Sequence, residues 1–407
     1  MDRFCRSLAS SAIYRTPHFV VTISVLSMTA CVTLVEGPKP AFRHVVNNVF
    51  SMGEIHQSTE LVEDIIRIQT KKGIGMKKLL TSVVAAVACY AGVASAAEIK
   101  PAVVYDLGGR FDRSFNQAAY TGAEKYKEDT GTEYRDFEIQ NDSQREQAMR
   151  NFARRGMNPI VAIGFSQASA LEKVAKEFPD TKFTIVDMVV DLPNVQSVVF
   201  KEHEGSFLVG VLAAMKSKTG KVGFVGGMDI PLIHKFACGY VQGVKYMNSG
   251  STVYQKMTGT TPAAWNDPAR GAELAKTMYD SGADIVYAAA GGTGLGVLQA
   301  AADNNKLSIG VDSNQNHLQP GSVLTSMLKR VDVAAYEVFK TGHDGSWKPG
   351  FKILGLAEDG VGWALDEHNA GLVSALMESK VEQVRKGIIS GKIKVHDYMS
   401  NNKCPVQ

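Results

Sequence analysis

The residues best suited to hold a small ligand come directly after a predicted first strand. Asp106 follows the apolar run Ala102–Tyr105. A glycine turn then leads to Ser114, Phe115 and Asn116 at the start of a predicted helix. A carboxylate, an aromatic ring and an amide together offer a flat heterocycle a stacking surface and acceptors for its N–H groups. The simpler interpretation, which this segment alone favours slightly, is that Ser114 caps the helix and Phe115 joins the core.

Two more predicted strands end in a glycine, an aromatic residue or a carboxylate. The strand from Pro159 ends at Gly164 and Phe165, and the next one ends at Asp187. In α/β proteins the carboxyl ends of parallel strands form the edge where ligands bind. These residues are therefore candidates for the same site.

A glycine loop that begins with Gly291 and Gly292 follows the predicted strand at 285–289. Backbone N–H groups at a helix start attract anions, which suggests phosphate. The spacing matches neither the dinucleotide motif nor the P-loop, since no Lys-Ser or Lys-Thr follows. Close approach of the backbone to a neutral ligand is the favoured interpretation.

Later segments add aromatic, acidic and basic groups to the candidates: Phe236, Trp265, Asp267, Asp312, Asn314 and Lys329. A carboxylate at a strand end could accept hydrogen bonds from two neighbouring sugar hydroxyls, and a nearby lysine could keep it ionised. Each residue taken alone is more often a cap, a turn residue or a solvated charge. Their recurrence at the same end of several strands favours a ligand site.

After Ala96, short β-branched apolar runs alternate with amphipathic segments. The apolar runs predict strands at 102–105, 159–164, 183–187, 195–200, 222–226, 285–289 and 307–312. The amphipathic segments predict helices, among them 144–155, 168–178, 205–216, 234–247, 269–279 and 323–339. Nearly continuous apolar strands are typical of parallel sheets covered on both faces by helices. Because the strands are too many for one small doubly wound sheet, we expect two such sheets, with the ligand between them.

Composition sets the class of protein. At 407 residues the chain exceeds one ordinary domain of roughly 100 to 200 residues. Its 44 basic and 41 acidic residues are dispersed, so nucleic acid is not expected as a partner. The five cysteines form no C-x-x-C pair, and neither a metal nor a cofactor is expected. Whether Cys238 and Cys404 pair stays open, although their wide separation along the chain disfavours a disulfide.

A complete export signal begins at Met76. Two lysines, an apolar stretch from Leu79 to Val93 and the small residues Ala94-Ser95-Ala96 follow in order. We expect cleavage there and a soluble periplasmic protein. A lipid anchor at Cys89 is disfavoured, because Ala86 stands where a leucine-like residue is needed.

Residues 1–75 precede this signal, and we expect them to lie outside the mature protein, with translation beginning at Met76. They contain an uncharged run from Phe19 to Val35, which could be a short membrane span or a second leader.

Six segments, in this order, resemble the basic membrane protein family of ABC-transporter receptors, including its purine nucleoside-binding members. They are DLGGRFDRSFNQ from Asp106, EGSFLVGVLAA from Glu204, GFVGG from Gly223, AAGGTGLGV from Ala289, GVDSNQ from Gly310 and LTSMLKR from Leu324. The resemblance covers about 99–400. It implies a periplasmic-binding-protein type I fold, with two Rossmann-like lobes that close about a hinge. The first lobe would be 99–201 with 323–346, and the second 202–322 with 347–407.

The resemblance also implies roles for the candidate residues. A purine base would lie between Phe115 and Phe236, with Asp106 and Asn116 at its polar edge. The sugar side would be formed by Asp267, Gly291, Gly292, Asp312 and Lys329.

One departure concerns the ligand: the family's second carboxylate in Val-Asp-Ser-Asp-Gln is Asn314 here. That loss, and the aromatic surface of Trp265, raise the prospect of a free base such as adenine, so nucleoside and base stay open. The resemblance further implies delivery to the permease and ATPase subunits of an inner-membrane importer, and we expect a monomer.

Other classes of protein are weighed against this one. An enzyme would need a nucleophile with a base, a metal set or a cofactor motif, and none is clear. A sugar-responsive repressor would need a helix-turn-helix ahead of the first lobe, where an export leader stands instead. A receptor for another small ligand, such as a sugar, or a nucleoside-processing enzyme remain the alternatives.

Overall fold

The computed structural model describes residues 99–406 and three strands nearer the N-terminus, β1 (Ser11–Arg15), β2 (Phe19–Leu26) and β3 (Thr29–Glu36). The three strands pair antiparallel within a separate unit, Met1–Ala94. The described parts of the uncharged run, 19–26 and 29–35, lie in two paired strands rather than in a helix. The predicted export signal at 76–96 lies outside the described residues.

The first sheet of the main unit is parallel throughout. Its strand order is β5-β4-β6-β7-β8-β14, with β4 (Ala102–Tyr105), β5 (Arg135–Glu138), β6 (Ile160–Ile163), β7 (Phe183–Val186), β8 (Val195–Phe200) and β14 (Gly350–Leu354). Every residue of β4, β6 and β7 is buried, because helices cover both faces of the sheet.

The second sheet is parallel except for one edge strand. Its order is β10-β9-β11-β12-β13-β15, and β15 alone runs antiparallel to its neighbour. The strands are β9 (Lys221–Met228), β10 (Thr252–Gly259), β11 (Ile285–Ala289), β12 (Leu307–Asp312), β13 (Val323–Lys329) and β15 (Val361–Trp363).

Helices flank both sheets. They are α1 (Phe115–Thr130), α2 (Gln144–Arg154), α3 (Ala168–Glu177), α4 (Glu202–Lys216), α5 (Pro231–Met247), α6 (Pro268–Asp280), α7 (Gly294–Asp303), α8 (Val331–His343) and α9 (Ala375–Ile389). Local signals fix several ends: α5 and α6 begin with proline, and Gly131 closes α1 in the left-handed region, with φ 69°. None of the helices in the described residues is both long and apolar enough to cross a membrane.

The structure corrects one predicted element and, with it, the expected lobe boundaries. The segment 323–339, predicted as one helix, is the strand β13 followed by α8. β13 pairs with β12 in the second sheet, whereas β14 pairs with β8 in the first. Residues 323–329 therefore belong with the second sheet and 350–354 with the first. The apolar residues of β13 are buried on both faces, so their spacing in sequence does not distinguish a strand from a helix.

Besides β13, four strands of the main unit were not predicted, β5, β10, β14 and β15, and each is an edge strand of its sheet. The residues of β5 (Arg135–Glu138) and β14 (Gly350–Leu354) alternate between exposed and partly buried, β10 mixes exposed with partly buried residues, and β15 is only three residues long. A strand with one exposed side lacks the continuous apolar run that marks a central strand.

Cys238 and Cys404 form a disulfide, with their Cα atoms 5.6 Å apart. The sequence had disfavoured this pairing because 166 positions separate the two residues. The fold overcomes that separation by bringing the C-terminal segment back against α5.

Candidate functional site

The carboxyl ends of strands from the two sheets meet at the predicted site. Ser114, which follows β4, donates a hydrogen bond to Asp312 at the end of β12, 2.6 Å away. Lys329, at the end of β13, donates to Asp187 beyond β7, also at 2.6 Å. Both aspartates have left-handed backbone angles, φ 71° for Asp187 and φ 63° for Asp312. Non-glycine residues adopt this region at an energetic cost, which is typical of functional sites.

Lys329 lies at the centre of one group of candidates. Its Nζ is 5.0 Å from the ring centroid of Phe115, 5.2 Å from that of Phe200 and 5.5 Å from that of Phe236. It is also 3.2 Å from Oε1 of Glu202. The structure thus places Phe115 and Phe236 on the same buried ammonium group, which faces both rings.

The charged residues of this group shift one another's pKa values. Burial opposes the charge of Lys329, but Asp187, Glu202 and Asp312 together raise its pKa above the ordinary value. Burial raises the pKa of Asp187 to about 6, with Lys329 acting in the opposite direction. The pKa of Asp312 is likewise raised to about 6 by burial. For Glu202, burial is outweighed by Lys329 and Lys235, which lower its pKa.

One acceptor of this group is free. Oδ1 of Asp187 is buried and has no hydrogen-bond partner among residues 99–406. An unpaired buried carboxylate oxygen is costly, so a donor from a bound ligand would be favoured there.

A second group of candidates lines an open cavity of about 420 Å³. Its walls include Asp106, Phe165 and, from the start of α2, Arg145 on the side of the first sheet, and Pro262 and Trp265 on the side of the second. Three predicted residues, Asp106, Phe165 and Trp265, line this cavity. Four others lie around Lys329 and form with it the Lys329 group: Phe115, Asp187, Phe236 and Asp312.

Asp106 is held by neighbouring groups of the protein. Arg145 donates to Oδ1 at 2.5 Å, and the hydroxyl of Ser166 donates to Oδ2. Gly164, with φ 103°, packs against this carboxylate so closely that a Cβ would overlap Oδ2. Asn116 uses both polar atoms on the main chain of Asp106, accepting from N–H at 3.1 Å and donating to the carbonyl at 3.3 Å.

Three further candidates, Gly291, Gly292 and Asp267, lie near Trp265 in the structure or in the sequence. Its ring packs against Gly227, where a Cβ would overlap it. Gly291 and Gly292 lie along its main chain, since a Cβ at either position would be 3.3 Å from the Trp265 carbonyl oxygen. Asp267 is exposed and caps α6 by accepting from the N–H of Arg270 at 2.9 Å.

Asn314 joins neither group through its hydrogen bonds. Its side chain is exposed, donates to Asp366 at 2.6 Å and accepts from the N–H of Asn316. The departure from the family motif therefore lies outside the Lys329 group.

Sequence reasoning missed four residues of these groups: Arg145, Phe200, Glu202 and Lys235. Glu202 and Phe200 stand at the end of β8, so the rule that directed attention to strand ends could have found them. Lys235 and Arg145 lie within predicted helices, where an isolated charge is ordinarily solvated, and no sequence signal distinguishes them.

Known proteins with similar sequences fit this architecture. A family model described as ABC transporter substrate-binding protein PnrA-like matches residues 99–398. The ABC transporter nucleoside-binding protein BmpA of Lactococcus lactis is 34% identical over 322 residues, covering 73% of this chain and 89% of that protein. An uncharacterized lipoprotein of Pyrococcus abyssi is 35% identical over 308 residues, which are 72% of this chain and 76% of that protein.

A solved structure confirms the expected fold. An ABC transporter solute-binding protein of Aeropyrum pernix matches with a TM-score of 0.67 and 31% identity, over 75% of this chain and 95% of that one. The two mainly parallel sheets form a type I periplasmic-binding-protein fold. With its six motifs and this match to the family model, the chain belongs to the PnrA-like family of ABC transporter substrate-binding proteins, the basic membrane protein family.

Proposed function

We propose that this chain binds a purine nucleoside or a free purine base between its two lobes and delivers it to an ABC importer. The observation that carries the proposal is the pair of rings, Phe115 and Phe236, directed at one point beside two strand-end carboxylates. A purine between the rings would gain stacking, and its N–H groups could donate to Oδ1 of Asp187. The name of the Lactococcus lactis relative, a nucleoside-binding protein, supports the same class of ligand.

Binding in this way needs no cofactor and no chemical step. Lys329 would keep its ion pairs with Asp187 and Glu202. The base would replace the ammonium group as the contact of the two rings. The bound molecule would leave unchanged, to be received by the permease and ATPase subunits of the importer. Export through the predicted signal peptide, release into the periplasm and a monomeric state complete the proposal.

Thermal unfolding of ligand-stripped protein tests the ligand class. A ligand that binds only the folded state adds RT ln(1 + [L]/Kd), about 2.7 kcal/mol at a hundredfold excess over Kd. We therefore expect adenine, adenosine, guanosine or inosine to raise the melting temperature, and the order of their effects to separate base from nucleoside.

A sugar and an amino acid serve as control ligands in this experiment. The purine proposal fails if one of these raises the melting temperature and all four purines leave it unchanged. Incubation with nucleosides, followed by detection of free base, checks that the protein binds without hydrolysis.

A further inference from the structure

The last residues of the chain bind along helix α5, which carries Phe236. We call residues 392–406 the C-terminal strap. Cys404 of the strap is disulfide-bonded to Cys238 of α5. Gln242 and His396 exchange two hydrogen bonds, with Nε2 donating to the His396 carbonyl at 3.0 Å and the His396 N–H donating back to Oε1 at 2.8 Å. Helix and strap are thus joined at two neighbouring turns of α5.

A third contact lies nearer the start of α5. The ring of Tyr398 stacks on His234 with centroids 5.1 Å apart. The strap between Gly391 and this point has no regular secondary structure, and only the short turn Tyr398–Ser400 follows it. Its first residues are held by Ile393, whose N–H donates to the Gly387 carbonyl at 3.0 Å, and the part from His396 onward by the side chains of α5 and the disulfide.

A chain of alternating charges leads from the strap to the candidate site. Asp397 of the strap is 3.5 Å from Nζ of Lys235, and Lys235 is 2.9 Å from Glu202. Glu202 in turn is 3.2 Å from Lys329, which pairs with Asp187 at 2.6 Å. The side chains of Lys235, Glu202 and Lys329 are all at least nine-tenths buried, so each needs its partners in place.

We propose that the C-terminal strap is a disulfide-locked clamp on α5. The clamp fixes the positions of Lys235 and Phe236 and, through Glu202, the position of the Lys329 ammonium group. Ligand affinity therefore depends on oxidation of Cys238 and Cys404. The dependence of ligand affinity on oxidation rests on the proposed function, whereas the clamping of α5 does not. A terminal segment without regular structure frays unless it is tied down. Release of Cys404 would free Asp397 from Lys235 and leave buried charges less well paired.

Formation of the lock is a two-electron oxidation. The two cysteine thiols lose two protons and two electrons as the Sγ–Sγ bond forms. A disulfide of an exchange partner accepts them and becomes two thiols. Such partners act where secreted proteins fold, so the reduced chain would be the weaker binder before oxidation.

Titration calorimetry on the full chain, with the purine that raises its melting temperature most, tests the clamp. Reduction with dithiothreitol and the C238S/C404S variant should each weaken binding by about tenfold. Circular dichroism at the same temperature shows whether the protein remains folded. The wild type should respond to reductant, whereas C238S/C404S, which has no disulfide to reduce, should not respond at all.

Hydrogen exchange supplies a readout that needs no ligand. Amides of α5 and of the strap should exchange faster in reduced protein than in oxidised protein. If the wild type binds no purine, the proposed function fails and this experiment still decides the clamp. Equal exchange in the two forms, or equal affinity in folded oxidised and reduced protein, would overturn it.

Two variants test the clamp with the disulfide intact, in case C238S/C404S does not fold. Gln242→Ala removes the paired hydrogen bonds to His396, and Asp397→Asn removes the charge next to Lys235. Both should weaken purine binding and speed exchange in α5. Wild-type affinity and exchange in both variants would contradict the proposal.

Discussion

Lys329 connects the two sheets at the level of single residues. It donates from the end of β13 to Asp187 beyond β7, and the two rings expected to hold a base, Phe115 and Phe236, face its ammonium group. The rings differ in environment, because Phe236 is 3% exposed within the main apolar cluster and Phe115 is only partly buried. Their substitutions should therefore differ in effect.

Phe115→Ala should weaken purine binding by roughly ten- to a hundredfold, since stacking on a base is worth on the order of 1 to 3 kcal/mol. Phe236→Ala should weaken binding as well, but should also cost about 3 to 5 kcal/mol of unfolding free energy, because it leaves a cavity in the core. Calorimetry and urea denaturation measure the two effects.

Phe351→Ala is the matched control for these variants. This ring lies on the edge strand β14 and is 56% exposed, so neither affinity nor stability should change appreciably. Unaltered affinity in a folded Phe115→Ala protein would rule out the stacking role.

At the level of elements, the segments that connect the two sheets are hydrogen-bonded to one another. Within residues 99–406 the chain passes from one sheet to the other after β8, after β13 and after β14. The N–H of Lys201 donates to the Leu354 carbonyl at 2.9 Å, and that of Arg330 to Gly360 at 2.8 Å. Adjacent connections of this kind are where a hinge between lobes is expected.

Asp267 allows a helix-capping role to be separated from a role in ligand binding, because the contact observed for its side chain is the cap of α6. Asp267→Ala should cost about 1 kcal/mol of stability through the lost cap. If the carboxylate also meets the sugar side of a ligand, affinity for nucleosides should fall while affinity for free bases does not.

Ser374→Ala is the matched control, since Ser374 caps α9 by accepting from the N–H of Met377. It should lower stability to a similar extent without changing affinity. Equal nucleoside affinity in the two variants would leave Asp267 as a cap alone.

For the molecule as a whole, the buried aspartates predict how stability depends on pH. Burial raises the pKa of Asp187 and of Asp312 to about 6, above the unfolded value of about 3.9. Between these values the native state binds more protons than the unfolded state, so the free energy of unfolding falls as pH rises through this window. Glu202, with a lowered pKa, contributes stability that is lost only at lower pH.

Asp312→Asn should remove the share of this dependence that comes from Asp312, on the order of 1 kcal/mol between about pH 5 and about pH 7.5. The amide carries no charge, so its burial costs the same at both pH values. Urea denaturation of the variant and the wild type at the two pH values measures the difference. An unchanged pH dependence in the variant would show that Asp312 is not a buried carboxylate of this kind.

The sequence by itself determined the central strands other than β13, the alternation with helices and the family. Ala102–Tyr105 and Ile285–Ala289 were predicted with their observed bounds, because strands buried on both faces are continuously apolar. The same rule directed attention to Asp187 and Asp312, since residues at the ends of predicted strands can be read from the chain alone.

Tertiary structure alone decided which of those residues meet. The strands Val323–Lys329 and Gly350–Leu354 were assigned to their sheets by pairing with distant partners, which no local pattern encodes. The bond between Cys238 and Cys404, and the contacts of Lys235 with Glu202 and Asp397, likewise join segments far apart in sequence. Spacing predicts contacts only within a helix or strand, because the path between elements is set by the packing of the whole fold.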